Sequence, residues 1–481
     1  MEVKSLKHNF FMYFLRSFTS FGFILFVFPY VARKIGVEGL GRVQYTETIV
    51  AYFILFINLG IFDYGKREVA RYRDNSQKLN NIVNDLLTIL YFTTIVGSIL
   101  YFLFIVLFVK DIVYKKLLYL YFLNILLNVF NVEWFYIGIE NQEYITKRNI
   151  FVKIVLSISI FFFVKNEEDL YIYTIISILS FVGSNVYNFI NLMKFVKLEI
   201  RTFKEIKIHL KRLFYLFFSV IALSISYNLD SIMIKNIVGD LELGYYSLAL
   251  KFGKLPLILG TVVIGIFSPR LANLLGENKK EEYLKLWNVG INIIFLLYIP
   301  VSIGMFILSK SLVHIFGGIN FNPAIPIFKV FSIYIIIMGF AVSTGVALDT
   351  NRRDKEYSYS VICGSILNFI FNLFFIRTLG AFGAAIATII TEIIAIIIRF
   401  YLCKDIFKDI KIFNINLIKI IFSSIIMGIF IFYLEKQIEN LFLKNFLCVI
   451  FGGIIYFLCL IFLHEKLSKE ILNKINQRVK K

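Results

Sequence analysis

The sequence predicts an all-α integral membrane fold: about fourteen transmembrane helices, organised as two six-helix lobes followed by a further pair. Three observations lead there. Hydrophobic residues make up 59% of the 481 residues and charged ones only 17%, whereas soluble domains carry about a quarter. Apolar runs of about 20 residues recur along the chain, the length an α-helix needs to cross about 30 Å of hydrocarbon. Lysine and arginine gather in alternate connections between those runs.

The runs fall at 9–31, 44–64, 83–109, 117–138, 149–164, 171–193, 213–235, 244–268, 286–308, 326–348, 357–376, 380–402, 415–434 and 443–463. A β-barrel would need segments of about ten residues that alternate apolar and polar, and stretches such as Ile389 to Ile398 are apolar on every face. The first run is longer than a signal-peptide core and is not followed by a small-residue cleavage site, so it is expected to stay in the mature chain.

With a cytoplasmic N-terminus, about 32 Lys and Arg fall on the cytoplasmic side and about 11 outside, the asymmetry of the positive-inside rule. Both termini are therefore expected inside. The connection Lys194 to Arg212 and the tail Lys466 to Lys481 are basic, and the connection Lys165 to Asp169 is acidic. Charges placed this way orient helices and meet anionic membrane lipids, so the net charge of +19 gives no reason to expect a nucleic-acid partner. No connection exceeds about twenty residues, which leaves no room for a soluble catalytic domain and points to a transporter rather than an enzyme. Cys363, Cys403, Cys448 and Cys459 lack paired spacing, and His8, His209, His314 and His464 lie far apart, so neither disulfide, metal nor cofactor is expected.

The chain also repeats itself. Gly36-Val-Glu-Gly-Leu-Gly41 leads into a helix through Tyr45, and Gly239-Asp-Leu-Glu-Leu-Gly244 leads into Tyr245 and Tyr246. The same offset places Arg67 on Arg270. Six crossings per copy bring the second copy in from the same side, giving parallel lobes at 1–206 and 207–404, with 405–481 as two added helices and the tail.

Several stretches, in order, resemble the Wzx-type polysaccharide flippases of the multidrug/oligosaccharidyl-lipid/polysaccharide exporter superfamily. They are Pro29-Tyr-Val-Ala-Arg33 with Gly36 to Gly41; Gly60 through Arg67-Glu-Val-Ala-Arg71; and Glu133-Trp-Phe-Tyr-Ile-Gly138 followed by Glu140. Further along come Leu229-Asp-Ser231, Gly244 to Lys251, Pro269-Arg-Leu271, Phe321-Asn-Pro323, and Gly380 to Thr388 with Glu392. The resemblance implies MATE-like lobes facing a central cavity, alternating access, a polyprenyl-diphosphate-linked oligosaccharide as cargo, and a bacterial inner membrane as location. Other polysaccharide-assembly membrane proteins are possible partners. A cation-coupled drug exporter and a peptidoglycan-precursor flippase are alternatives in the same superfamily; a polysaccharide polymerase or glycosyltransferase is one outside it.

A diphosphate headgroup asks for cations within the membrane, and Arg suits phosphate best because its planar fork binds two oxygens. Arg16, Lys251 and Lys254 are the candidates, set against snorkelling toward the interface. Asp230 and Glu392 are candidates for coupling or gating. Asn124, Asn128, Asn188, Asn368 and Asn372 lie on polar stripes at helical spacing, able to face the glycan or to bond neighbouring helices.

Overall fold

The computed structural model describes residues 8, 12, 15, 16, 18, 19, 21–408 and 414–465; the basic tail 466–481 lies outside them. They form helices and no strands. Two compact units result, Met1–Gly244 and Tyr245–Lys481. The first holds α1 (Phe28–Asn58), α2 (Ile61–Tyr72), α3 (Ser76–Phe108), α4 (Ile112–Leu127), α5 (Glu133–Gly138), α6 (Gln142–Phe163), α7 (Leu170–Leu192), α8 (Phe203–Val238) and the start of α9 (Asp240–Gly253). The second continues through α10 (Leu257–Gly276), α11 (Lys280–Ile307), α12 (Ser309–Phe316), α13 (Ala324–Thr350), α14 (Asp354–Leu402), α15 (Lys404–Phe407), α16 (Ile415–Gln437) and α17 (Leu441–Phe462).

Helix starts are written in side chains. Asn75 caps Lys78 N at 3.0 Å, Asp111 caps Val113 N at 2.8 Å, and Asn440 caps Phe442 N at 3.0 Å. Each satisfies an amide that the first helical turn cannot, which matters most where lipid offers no alternative. Trp134 in the first unit and Trp287 in the second are almost fully buried, while Phe92, Phe374 and Val449 are more than 60% exposed. A surface so apolar is suited to hydrocarbon rather than water.

Among the described residues, nine helices are long and apolar enough to span a membrane, or ten when the bent pair Phe23–Asn58 and Ile61–Tyr72 is taken as one. The 49-residue α14 counts once there, yet at about 74 Å it is more than twice the hydrocarbon thickness. It turns at Gly380 and so accommodates both 357–376 and 380–402. The expected fourteen crossings are compatible with this arrangement.

Three expected spans are broken, the 44–64 run at Leu59-Gly60, where both residues have positive φ between α1 and α2. The 117–138 run stops at a 3-10 turn, Asn128–Phe130, before α5 begins. The 244–268 run breaks between α9 and α10 at Lys254-Leu255-Pro256, where Pro256 has no amide hydrogen to continue the helix. Composition reports apolarity and is blind to all three breaks.

Hairpin turns recur on one device. Gly36 (φ 71°), Gly239 (φ 100°), Gly318 (φ 88°) and Gly380 (φ 60°) each pair a positive φ with an extended ψ. They sit between spans 1 and 2, 7 and 8, 9 and 10, and 11 and 12, so four of the seven connections expected on the external side share this turn. A side chain there meets the steric cost that restricts the region to glycine.

The repeat has a structural counterpart within the first unit. A Cβ added to Gly41 would overlap the Asp240 carbonyl, and one added to Gly244 would overlap the Val37 carbonyl. Residues 37 and 240 are equivalent under the repeat, as are 41 and 244, so the two contacts are reciprocal and the turns meet about a local two-fold. Arg42 Nε at 3.4 Å from Asp240 Oδ2, with Tyr114 donating to Oδ1, fixes the junction. Gly41→Ala and Gly244→Ala are each expected to lower the melting temperature in detergent by several degrees, while Gly453→Ala, whose Cβ enters open space, leaves it unchanged.

Candidate functional site

In the first unit, Arg16 pairs with Glu133, the first residue of α5. Both are partly buried, at 18% and 23% side-chain exposure. The break at residues 128–132 is what lets α5 start there, so the carboxylate sits inside the unit rather than at the solvated helix end a continuous span would give. Lys153 of α6 lies within electrostatic reach of both Arg16 and Glu133. One turn away, Arg148 is 7% exposed and donates to Ser184 O and Asn149 Oδ1, each at 2.6 Å. Its Nε reaches no partner among the described residues. Among the described residues three cations thus gather around the Glu133 carboxylate, and a buried guanidinium has a donor with no partner there, an arrangement that attracts an anion.

Beside this group Tyr136 stacks on Tyr144 at 4.8 Å, and Tyr144 on Tyr187 at 6.1 Å. Arg148, Lys153 and these tyrosines went unread in the sequence. Arg148 and Lys153 fall at or near the start of the 149–164 run, where position along the chain suggests interfacial charge; only the packing of α6 against α7 turns them inward.

In the second unit, Lys254 lies in the break between α9 and α10, its Nζ 5.6 Å from the Phe331 ring and 5.2 Å from that of Tyr334. Aromatic faces at that range favour a cation. Glu392 is within electrostatic reach of Lys254 and of Arg399, whose Nη2 is 3.6 Å from Glu392 Oε1. Arg399, 5% exposed, is braced by Ser360 Oγ at 2.9 Å, Ala341 O at 3.1 Å and the Tyr357 ring at 5.1 Å. Lys254 and Glu392, separate in the sequence reading, therefore belong to one group, and Arg399 is the member the reading missed. It falls near the end of its run, where an arginine reads as an anchor.

The remaining candidates distribute as follows. Lys251 is half-buried on α9 in the second unit. Asp230 is 3% exposed on α8 in the first unit, within electrostatic reach of Tyr52. Asn124, Asn128, Asn188, Asn368 and Asn372 are all under 10% exposed. Asn128 bonds Asn58 at 2.9 Å across helices, and Asn372 bonds Asn368 at 3.0 Å along α14. In this conformation these amides lie within helix packing.

A family model described as polysaccharide biosynthesis protein matches residues 6–275. The chain belongs to this family. A second model, lipid II flippase MurJ, matches residues 145–452, and both fall within the multidrug/oligosaccharidyl-lipid/polysaccharide exporter superfamily. The chain is 21% identical over 216 residues to the probable low-salt glycan biosynthesis flippase Agl15 of Haloferax volcanii, covering 45% of this chain and 46% of that one. It is 26% identical over 187 residues to the capsular polysaccharide biosynthesis protein CapF of Staphylococcus aureus, covering 38% and 46%. The chain thus spans less than half the length of the curated relatives it matches. Among solved structures, lipid II flippase MurJ in an inward closed conformation superposes with a TM-score of 0.72 at 19% identity, covering 95% of this chain and 98% of that one, a likeness of fold.

Removing Arg399 leaves the partly buried Glu392 without its ion-pair partner. Arg399→Leu is expected to cost about 3 to 5 kcal/mol, read as a lower melting temperature in detergent, and adding Glu392→Gln should recover most of it. Equal instability of single and double variants would mean that packing, not charge, sets the loss.

Proposed function

We propose that the chain is a flippase carrying polyprenyl-diphosphate-linked oligosaccharide repeat units across a bacterial inner membrane, for assembly of a surface polysaccharide. The observation that carries the reading is the gathering of Arg16, Arg148 and Lys153, buried or partly buried, around Glu133. A cation held at membrane depth costs about 2.5 to 3.5 kcal/mol on insertion scales, so a use is needed to retain it. A diphosphate headgroup provides one: it brings about two negative charges and oxygens that a guanidinium binds in pairs. Family membership supports the same cargo class.

In this reading Arg16 contacts the diphosphate in the first unit, with Arg148 and Lys153 extending that contact, and Lys251 and Lys254 are the candidates for such a contact in the second unit. Glu133 holds Arg16 in place while no cargo is bound. Glu392 acts as the coupling or gating carboxylate, poised between Lys254 and Arg399; Asp230 is a second candidate for that role. The buried amides of Asn124, Asn128, Asn188, Asn368 and Asn372 meet the glycan when the helices move apart. The lobes are 1–206 and 207–404, with 405–481 as helix pair and cytoplasmic tail, and both termini are inside. No covalent step is involved. Alternating access requires only that cargo bind the two states with different affinity.

The test is flipping in proteoliposomes of a labelled polyprenyl-diphosphate oligosaccharide, followed by its access to a membrane-impermeant reagent. Wild type is expected to transport it. Arg16→Ala and Lys254→Ala should each slow transport about 10- to 100-fold while remaining folded. Cation efflux without flipping by wild type would move the chain to the drug-exporter branch.

A further inference from the structure

The end of the second unit where α11 meets α12, α13 begins and α16 turns into α17 carries a charge group that the proposed transport does not use. Lys310, Lys329, Lys436 and Lys444 all lie within electrostatic reach of Glu435. None of the four has an ion-pair partner within 4 Å among the described residues, and neither does Glu435. The other carboxylate in the connecting turn, Glu439, is exposed and likewise makes no ion pair among them. Four lysines against two carboxylates leave this end positive.

The helices that present them are firmly joined. Ser311 Oγ bonds Asn445 Oδ1 at 3.0 Å, both buried, tying α12 to α17. Lys436 Nζ stands 4.0 Å from the Phe432 ring and Lys329 Nζ 5.3 Å from that of Phe306, so two of the ammonium groups are held over aromatic faces. Directly along the same helices, Tyr433 is 63% exposed, Phe442 66% and Phe446 63%. Cationic tips above a bulky apolar wall match the two halves of a phospholipid, a phosphate headgroup over its acyl chains.

We infer that this lysine group binds the phosphate headgroup of an anionic membrane phospholipid, whose chains lie on the exposed faces of α16 and α17. In the proposed orientation the site faces the outer leaflet, the side from which the positive-inside distribution depletes lysine. Only that leaflet assignment rests on the proposed function; recognition of the phosphate does not. Glu435, within electrostatic reach of all four lysines, competes with the lipid for them.

The experiment is native mass spectrometry of the full purified chain titrated with phosphatidylglycerol, with phosphatidylcholine and inorganic phosphate as separate arms. Wild type should retain phosphatidylglycerol in preference to phosphatidylcholine. The pairs Lys310→Gln with Lys329→Gln and Lys436→Gln with Lys444→Gln, made separately, should each weaken that retention about 30-fold, at unchanged melting temperature in lipid-free detergent. Glu435→Gln should strengthen it several-fold. Equal retention of the two lipids, or full retention by both lysine pairs, overturns the proposal. Inorganic phosphate displacing the lipid at comparable concentration would make this an ion site only. Displacement by polyprenyl diphosphate at lower concentration than phosphatidylglycerol would assign the lysines to the cargo instead.

Discussion

A charge held among lipid-embedded helices must be matched by another charge, a dipole or an aromatic face, because no water is present to solvate it. The buried ionic groups of this protein follow from that constraint. Arg399 has a carboxylate, a hydroxyl, a carbonyl and a ring around it, and Arg148 has a carbonyl and an amide. Each partner comes from a particular helix, so the need to satisfy these cations fixes how α6 packs on α7 and how the two limbs of α14 lie against α13. The backbone obeys the same rule, which is why hairpins close on positive-φ glycines and helices start on Asn, Asp or Thr.

The two ionic groups have a common composition. Among the described residues each sets a carboxylate beside two or three cations: Glu133 with Arg16, Lys153 and Arg148, and Glu392 with Lys254 and Arg399. Such a carboxylate holds the cations in position at modest cost. In the proposed function an arriving phosphate completes a group that is already assembled, which reduces the side-chain entropy lost on binding. Both groups also lie next to helix breaks, α5 after residues 128–132 and Lys254 before Pro256, where a small change in backbone direction moves a charge.

The sequence carried the membrane fold because apolar length is a one-dimensional property. The repeat was equally legible: glycine is required where Gly41 and Gly244 approach the opposite turn, and that requirement fixes the identity of both residues. Expected depth along a helix singled out Arg16, Lys254 and Glu392, each of which the structure places in an ionic group. Azimuth and breaks could not be read. Glu133, Arg148, Lys153 and Arg399 stand near the ends of apolar runs, where charge is ordinary, and only the packing of neighbouring helices shows that they face inward. The asparagine stripes have the opposite character, regular in sequence and buried in the structure, because helical spacing defines a face without saying whether it meets cargo or another helix.

The central claim is that fixed cations recognise the charge of a lipid-linked cargo. The most direct measurement compares binding to the purified chain of two ligands with the same oligosaccharide and polyprenyl tail, one joined through a diphosphate and one through an uncharged linkage. The account predicts binding of the diphosphate form at least about tenfold tighter, with the difference shrinking when Arg16 and Lys153 are both replaced by Gln. Equal binding of the two forms would contradict it and place recognition in the glycan or the tail.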